Sequence, residues 1–237
     1  MANAGRPPNR NAGQPSAHSH EARDENIAGF SRGRLDALFD GVLAIVLTLL
    51  VFDLRAPTAA TNTTLAYAIA AMAPQFISFV ISFAVVAVFW YGHRMESHWL
   101  IHSDRIDIAF TMLLLLGLAF VPFSASLLGR NIHQWLAVAI YGTNLALLGL
   151  VRFVHYCYST AGHRLVTFDL TTASIRAVRL RLALTPILYL FAVALAPLSE
   201  TVAIIIFALM PLNYIIPVRQ IRGLTSLPQR IPIGDPQ

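Results

Sequence analysis

The 237-residue chain is 56% hydrophobic and only 12% charged, about half the charged share of an ordinary soluble domain of about 25%, and its mean hydropathy is +0.62. That composition excludes a typical soluble globular domain and points to a bundle of membrane helices. All 17 basic residues behind the formal charge of +5 are arginine, and the single cysteine, Cys157, excludes an intrachain disulfide and a cysteine-based metal site.

Residues 1–30 are polar and rich in Pro, Gly, Asn, Ser, His and Arg. Such a segment cannot bury a core and is expected to be a disordered cytoplasmic tail. It has no apolar stretch of the signal-peptide kind. Six apolar spans follow, at roughly 34–54, 66–91, 107–128, 133–156, 181–198 and 200–218. The last two form a hairpin around Pro197–Glu200, and residues 221–237 form a second polar cytoplasmic tail. Prolines 74, 122, 186 and 211 are tolerable in membrane helices whose neighbours satisfy the freed carbonyls. Strand-like alternation is absent. The expected fold is all-α, a polytopic membrane protein with six transmembrane helices spanning residues 31–220.

Orientation follows from arginine placement. Fifteen of the 17 arginines fall on one side of this topology, and only Arg55 and Arg130 fall on the other. Both termini are therefore expected in the cytoplasm. This rule explains the positive charge better than nucleic-acid binding does. The basic run from Arg164 to Arg181 also suits contact with anionic lipid.

The first span, RLDALFDGVLAIVLTLLVFDL, is the most informative. Only the twelve uncharged residues Gly41–Phe52 separate Asp40 from Asp53. They cover roughly 18 Å of helix against a hydrocarbon core of about 30 Å. One or both aspartates must then lie at or inside the bilayer edge, where an ionisable group is costly unless it faces protein or water. On a helical wheel, Arg34, Leu38, Gly41, Ile45, Thr48, Leu49 and Phe52 share a stripe about 100° wide. Asp36 and Asp40 share a different face and repel each other at i,i+4. They need cations or donors from other helices, for which His93, Arg94 and Arg105 are the candidates. The aspartates and Arg34 suit either of two roles, fixing helix ends or touching a transported ion. The Ile45/Leu49/Phe52 stripe is either plain packing surface or a hydrophobic constriction that gates by dewetting. Thr48 either offers a hydroxyl to an ion or bonds back to its own helix.

The segment resembles the signature of the transmembrane protein 175 potassium channels, bacterial branch. Their first helix carries Arg-x-x-x-Phe-Ser-Asp-Gly-Val, then Ala-Ile and Thr-Leu-Leu-Val. Arg34, Asp40, Gly41, Val42, Ala44, Ile45, Thr48, Leu49, Leu50 and Val51 match it. The likeness continues at Phe89, Trp90 and His93, at Pro122–Ser124, and at Tyr141–Gly142. It implies a homotetramer of six-helix subunits in the plasma membrane, with the first helix of each lining a central pore that conducts potassium with modest preference over sodium. It also implies residue roles: Ile45 as the narrowest constriction with Leu49 and Phe52 beyond it, Thr48 aiding selectivity, and Arg34, Asp36, Asp40 and His93 in a cytoplasmic polar network. No Thr-Val-Gly-Tyr-Gly filter occurs. One departure stands out, since Leu38–Phe39 replaces the family's Phe-Ser before the aspartate.

The competing expectation is a secondary transporter or proton-coupled exchanger built on Asp36 and Asp40. Transporter sites favour broken helices, and no Pro or Gly interrupts the middle of the first span. His98 and His102, with His93 nearby, have a spacing that could hold a metal, but the connection RMESHWLIHSDR supplies no third firm ligand. No cofactor or metal is expected, only potassium as the transported ion and the lipid bilayer as surroundings. Without a phosphate loop, nucleophile elbow or paired acid–base motif, an enzyme is not expected.

Overall fold

The computed structural model describes residues 32–100, 103–163, 165–166 and 172–215. The expected terminal tails, 1–30 and 221–237, lie outside these residues, as does His102. Within the described residues the chain is all-helical, with a single isolated bridge between Leu100 and Val166 and no strand. Helices run α1 (Arg32–Val51), α2 (Asn62–Ala71), α3 (Ala73–Ser97), α4 (Arg105–Ala119), α5 (Val121–Arg130), α6 (Trp135–Thr160), α7 (Thr172–Leu195) and α8 (Glu200–Ile215).

Local chemistry sets the boundaries. Thr61 and Thr64 exchange side-chain and backbone hydrogen bonds in a capping box that starts α2. Asp104 caps α4 by accepting from the Ile106 and Asp107 amides at 3.1 and 2.8 Å. Pro74 falls in the first turn of α3, where its missing N–H is harmless. The expected span 66–91 is thereby divided between α2 and α3. Pro122 does the same to the third span, although α4 and α5 together still make one membrane-length unit, Arg105–Arg130.

Four units are long and apolar enough to cross a membrane: α3, α4–α5, α6 and α7. The 20-residue α1 carries Arg32, Arg34, Asp36 and Asp40 in its first half, and the apolar α8 is shorter at 16 residues. Helix α7 starts at Thr172, earlier than the expected 181, so Arg176, Arg179 and Arg181 lie within it. Arginine is a good helix former, and counting apolar residues cannot see a helix continuing past the bilayer edge.

The core centres on α6. Its Val138, Tyr141 and Leu145 are completely buried, and Tyr141 shares a 3.0 Å hydrogen bond with Ser82 of α3. Asn144 donates to Ser124 Oγ at 3.3 Å, joining α6 to α5. Gly142 and Gly149, seven apart, allow close approach of α7 and α8. A Cβ at Gly142 would lie 2.5 Å from Phe207 and 2.6 Å from Val193, and one at Gly149 would lie 3.2 Å from Thr185. Small residues at such contacts are a usual device of membrane helix packing. Arg181 of α7 donates to the backbone carbonyl of Asn213 in α8. Helix α1 packs on α3, α4 and α5, whereas α7 packs on α6 and α8.

Candidate functional site

Helix α1 divides lengthwise into a buried and an open face. Leu35, Phe39, Leu43, Val46 and Leu50 recur at helical spacing and are nearly completely buried against the rest of the chain. On the other side, Ile45 is 59% exposed, Leu49 44% and Phe52 74%. Leu38, Gly41 and Thr48 are exposed with them, as is Arg34. A Cβ at Gly41 would meet nothing within 4 Å, so no contact among the described residues requires this glycine. The stripe picked out by the helical wheel is therefore the face that the described residues leave uncovered. Phe52 lies just past the last residue of α1, in a turn closed by its amide donating to the Leu49 carbonyl at 3.1 Å. Thr48 donates its hydroxyl proton to the Ile45 carbonyl at 2.8 Å.

Polar side chains hold both ends of α1. Asp36 Oδ1 lies 3.2 Å from His93 Nε2 and 3.9 Å from Arg32 Nε, while Ser97 donates to Asp36 Oδ2. Asp40 accepts from the Trp90 indole at 2.9 Å. Asp36 and Asp40 thus engage separate donors, which relieves their i,i+4 conflict. Of the three donors expected for them, His93 is in contact with Asp36, while Arg94 and Arg105 are exposed. Arg32 comes in instead, because it is one turn before Asp36 on the same face. At the far end, Asp53 accepts from Ser126 at 2.7 Å and from Arg130 Nη2 at 2.8 Å. Arg130 also offsets the unfavourable placement of a carboxylate near a helix C-terminus.

Behind this lies a second cluster that the sequence reasoning missed. Arg32 Nη1 donates to Asp107 Oδ2 at 3.0 Å, and His155 Nε2 lies 2.7 Å from Asp107 Oδ1. Ser103 donates to the same carboxylate at 2.5 Å. Asp107 is wholly buried and His155 is 2% exposed. Glu96 accepts from Arg152 Nη2 at 2.9 Å, and the guanidinium sits 5.6 Å from the Phe89 ring centre. The available signal was that Asp107 opens one apolar span and Arg152 and His155 close another, and ionisable residues in such places seldom lack partners. Among the described residues no three His, Cys, Asp or Glu side chains converge as a metal site. His98 lies edge-on to Trp99.

The family model described as endosomal/lysosomal potassium channel TMEM175 matches residues 34–122, which begin in α1 and take in Asp36, Asp40, Trp90 and His93. A protein of Streptomyces collinus named a potassium channel is 28% identical over 186 residues, covering 77% of this chain and 90% of its own. Another so named, from Chamaesiphon minutus, is 29% identical over 172 residues, or 70% of this chain and 85% of its own. The crystal structure of a lysosomal potassium-selective channel TMEM175 homolog from Chamaesiphon minutus superposes with a TM-score of 0.69 at 25% identity, covering 78% of this chain and 96% of that one. The chain thus resembles the TMEM175 family in sequence over residues 34–122 and in fold.

Other TMEM175 relatives are more distant or only partly covered. A single-substitution variant of the potassium channel MtTMEM175, solved in complex with a nanobody fusion protein, shares the fold at a TM-score of 0.50 and 20% identity, over 81% of this chain and 92% of its own. A human protein named endosomal/lysosomal proton channel TMEM175 is 32% identical over 117 residues, which span 46% of this chain and 23% of the human one. Against the TMEM175 first-helix pattern, the Phe39 that replaces serine is 1% exposed. Its ring stacks on His93 with centroids 3.7 Å apart. The substituted position thus supplies packing where the pattern has a hydroxyl.

Proposed function

We propose that this chain forms a potassium-selective leak channel in the plasma membrane, as a homotetramer whose α1 helices line the pore. The observation that carries this is the uncovered apolar stripe of Ile45, Leu49 and Phe52, on the helix where the match to the TMEM175 family begins. A ring of such side chains narrows a pore and gates it by dewetting. Thr48 has given its hydroxyl proton to Ile45. Its oxygen lone pairs remain on the stripe side as acceptors for a partly dehydrated cation, and this is the basis for modest selectivity without a carbonyl filter.

In this reading α1 and α8 complete six spans with the four long apolar units, and arginine distribution puts both termini in the cytoplasm. Arg34, Asp36, Asp40 and His93 belong to the polar network at the cytoplasmic end. The partners of Asp36 and Asp40 within the chain favour an anchoring role over direct ion contact. A transporter using these two aspartates is not favoured, since α1 runs unbroken from Arg32 to Val51.

The deciding experiment is potassium and sodium flux from proteoliposomes containing the purified protein, alongside Ile45→Asn. Potassium flux above sodium flux, increased or made less selective by the substitution, supports the pore. A folded oligomer that passes neither ion in either form, or flux that saturates and depends on a counter-ion, overturns it.

A further inference from the structure

The end of the bundle that holds the amino terminus of α1 has an uneven charge balance at its surface. Among the described residues, its carboxylates Asp36, Asp40, Glu96, Asp104 and Asp107 all accept hydrogen bonds from side chains of their own chain. Arg94, Arg105, Arg176 and Arg179 are exposed. What the described residues of this end show to their surroundings is therefore cationic.

Two of these arginines stand at the head of an apolar stripe. On α7, Arg176, Arg179, Leu180, Leu184, Ile187 and Phe191 are all exposed, and they fall within about 140° of arc at 100° per residue. Leu182, Thr185, Pro186, Tyr189 and Ala192 occupy the opposite, buried side. From Arg179 to Phe191 the stripe runs about 18 Å, a little over half of a hydrocarbon core of about 30 Å. Arg179 is oriented by a 3.1 Å hydrogen bond from Nη2 to Thr160 Oγ1. A guanidinium matches phosphate oxygens in a bidentate manner.

We propose that this face of α7 is a docking site for an anionic phospholipid, with its phosphodiester on Arg176 and Arg179 and an acyl chain along Leu180, Leu184, Ile187 and Phe191. The charge match selects the occupant: a second copy of the chain would bring the same arginines or another apolar face, and a zwitterionic lipid would gain less from two cations. The inference does not depend on the pore.

The test is native mass spectrometry of the full-length protein titrated with dioleoylphosphatidylglycerol or dioleoylphosphatidylcholine, with wild type, R176Q/R179Q and R94Q/R105Q compared. Wild type should prefer the anionic lipid by roughly tenfold, given the attraction expected of each surface arginine. R176Q/R179Q should lose that preference and R94Q/R105Q should keep it. R176K/R179K, which retains charge, should keep most of it and guards against a folding artefact. Equal binding of the two lipids by wild type, or an undiminished preference in R176Q/R179Q, overturns the proposal. So does equally tight binding of glycerophosphoglycerol, which has no chains to lie on the stripe. A change of oligomeric state in R176Q/R179Q with lipid preference intact would assign the face to a second copy instead.

Discussion

The ring of Phe39 lies over the imidazole of His93, with planes 17° apart. The contact locks α1 to α3 beside the bond from His93 to Asp36.

Replacing Phe39 by serine restores the family residue but empties a packed site. Phe39→Ser should destabilise the protein by about 3–5 kcal/mol, and Phe39→Leu by clearly less. Thermal unfolding of the purified protein in detergent checks this. An unchanged midpoint for the serine variant would show that the ring contributes nothing.

Asp107 is buried with its two neighbours Arg32 and His155 in place. Removing one member of a buried ionic group strands the others, at a cost of about 3–5 kcal/mol. Asp107→Ala should therefore be among the most damaging single changes in the chain, with loss of folded protein on size-exclusion chromatography. Arg94→Ala, at an exposed arginine, should be nearly silent.

Gly92 is small because Arg152 passes over it. A Cβ there would lie 1.8 Å from Nη2. Gly92→Ala should displace the guanidinium and break its pair with Glu96. The cost should be about 3 kcal/mol, and adding Glu96→Gln should cost little more, because both changes remove the same interaction. Additive losses in the double variant would refute the shared cause.

Thr48→Val removes the acceptor oxygen while keeping the shape. As an exposed position it should change stability by no more than about 0.5 kcal/mol. Its potassium-over-sodium flux ratio in proteoliposomes should fall, while Thr48→Ser keeps the wild-type ratio. A valine variant with unaltered ratio would remove Thr48 from any part in selectivity.

Much of the architecture was legible because apolar runs and punctuation are local. The expected spans 107–128 and 133–156 fall inside α4–α5 and, for all but its first two residues, α6. The open face of α1 was legible too, since a wheel of one helix contains it. The partner sets were not. The i,i+4 spacing does point Arg32 to Asp36, but nothing in the spacing chooses Ser97 over Arg94 and Arg105, because that depends on how α1, α3 and α4 rotate against one another. Phe39 had a similar difficulty. As a sequence departure it looked like a lost hydroxyl, and only tertiary packing gives its ring a neighbour.

The two anchored ends of α1 have a mechanical consequence. Asp36 and Asp40 hold one end against α3, and Asp53 holds the other against α5 through Ser126 and Arg130. A rod clamped at both tips resists twisting about its own length. Turning Ile45 away from its present direction would require both clamps to release together, whereas leaning or bowing of the rod would strain each only a little. In the proposed tetramer, movement of this helix should therefore change how far its stripe stands from the symmetry axis before it changes which side chains point there.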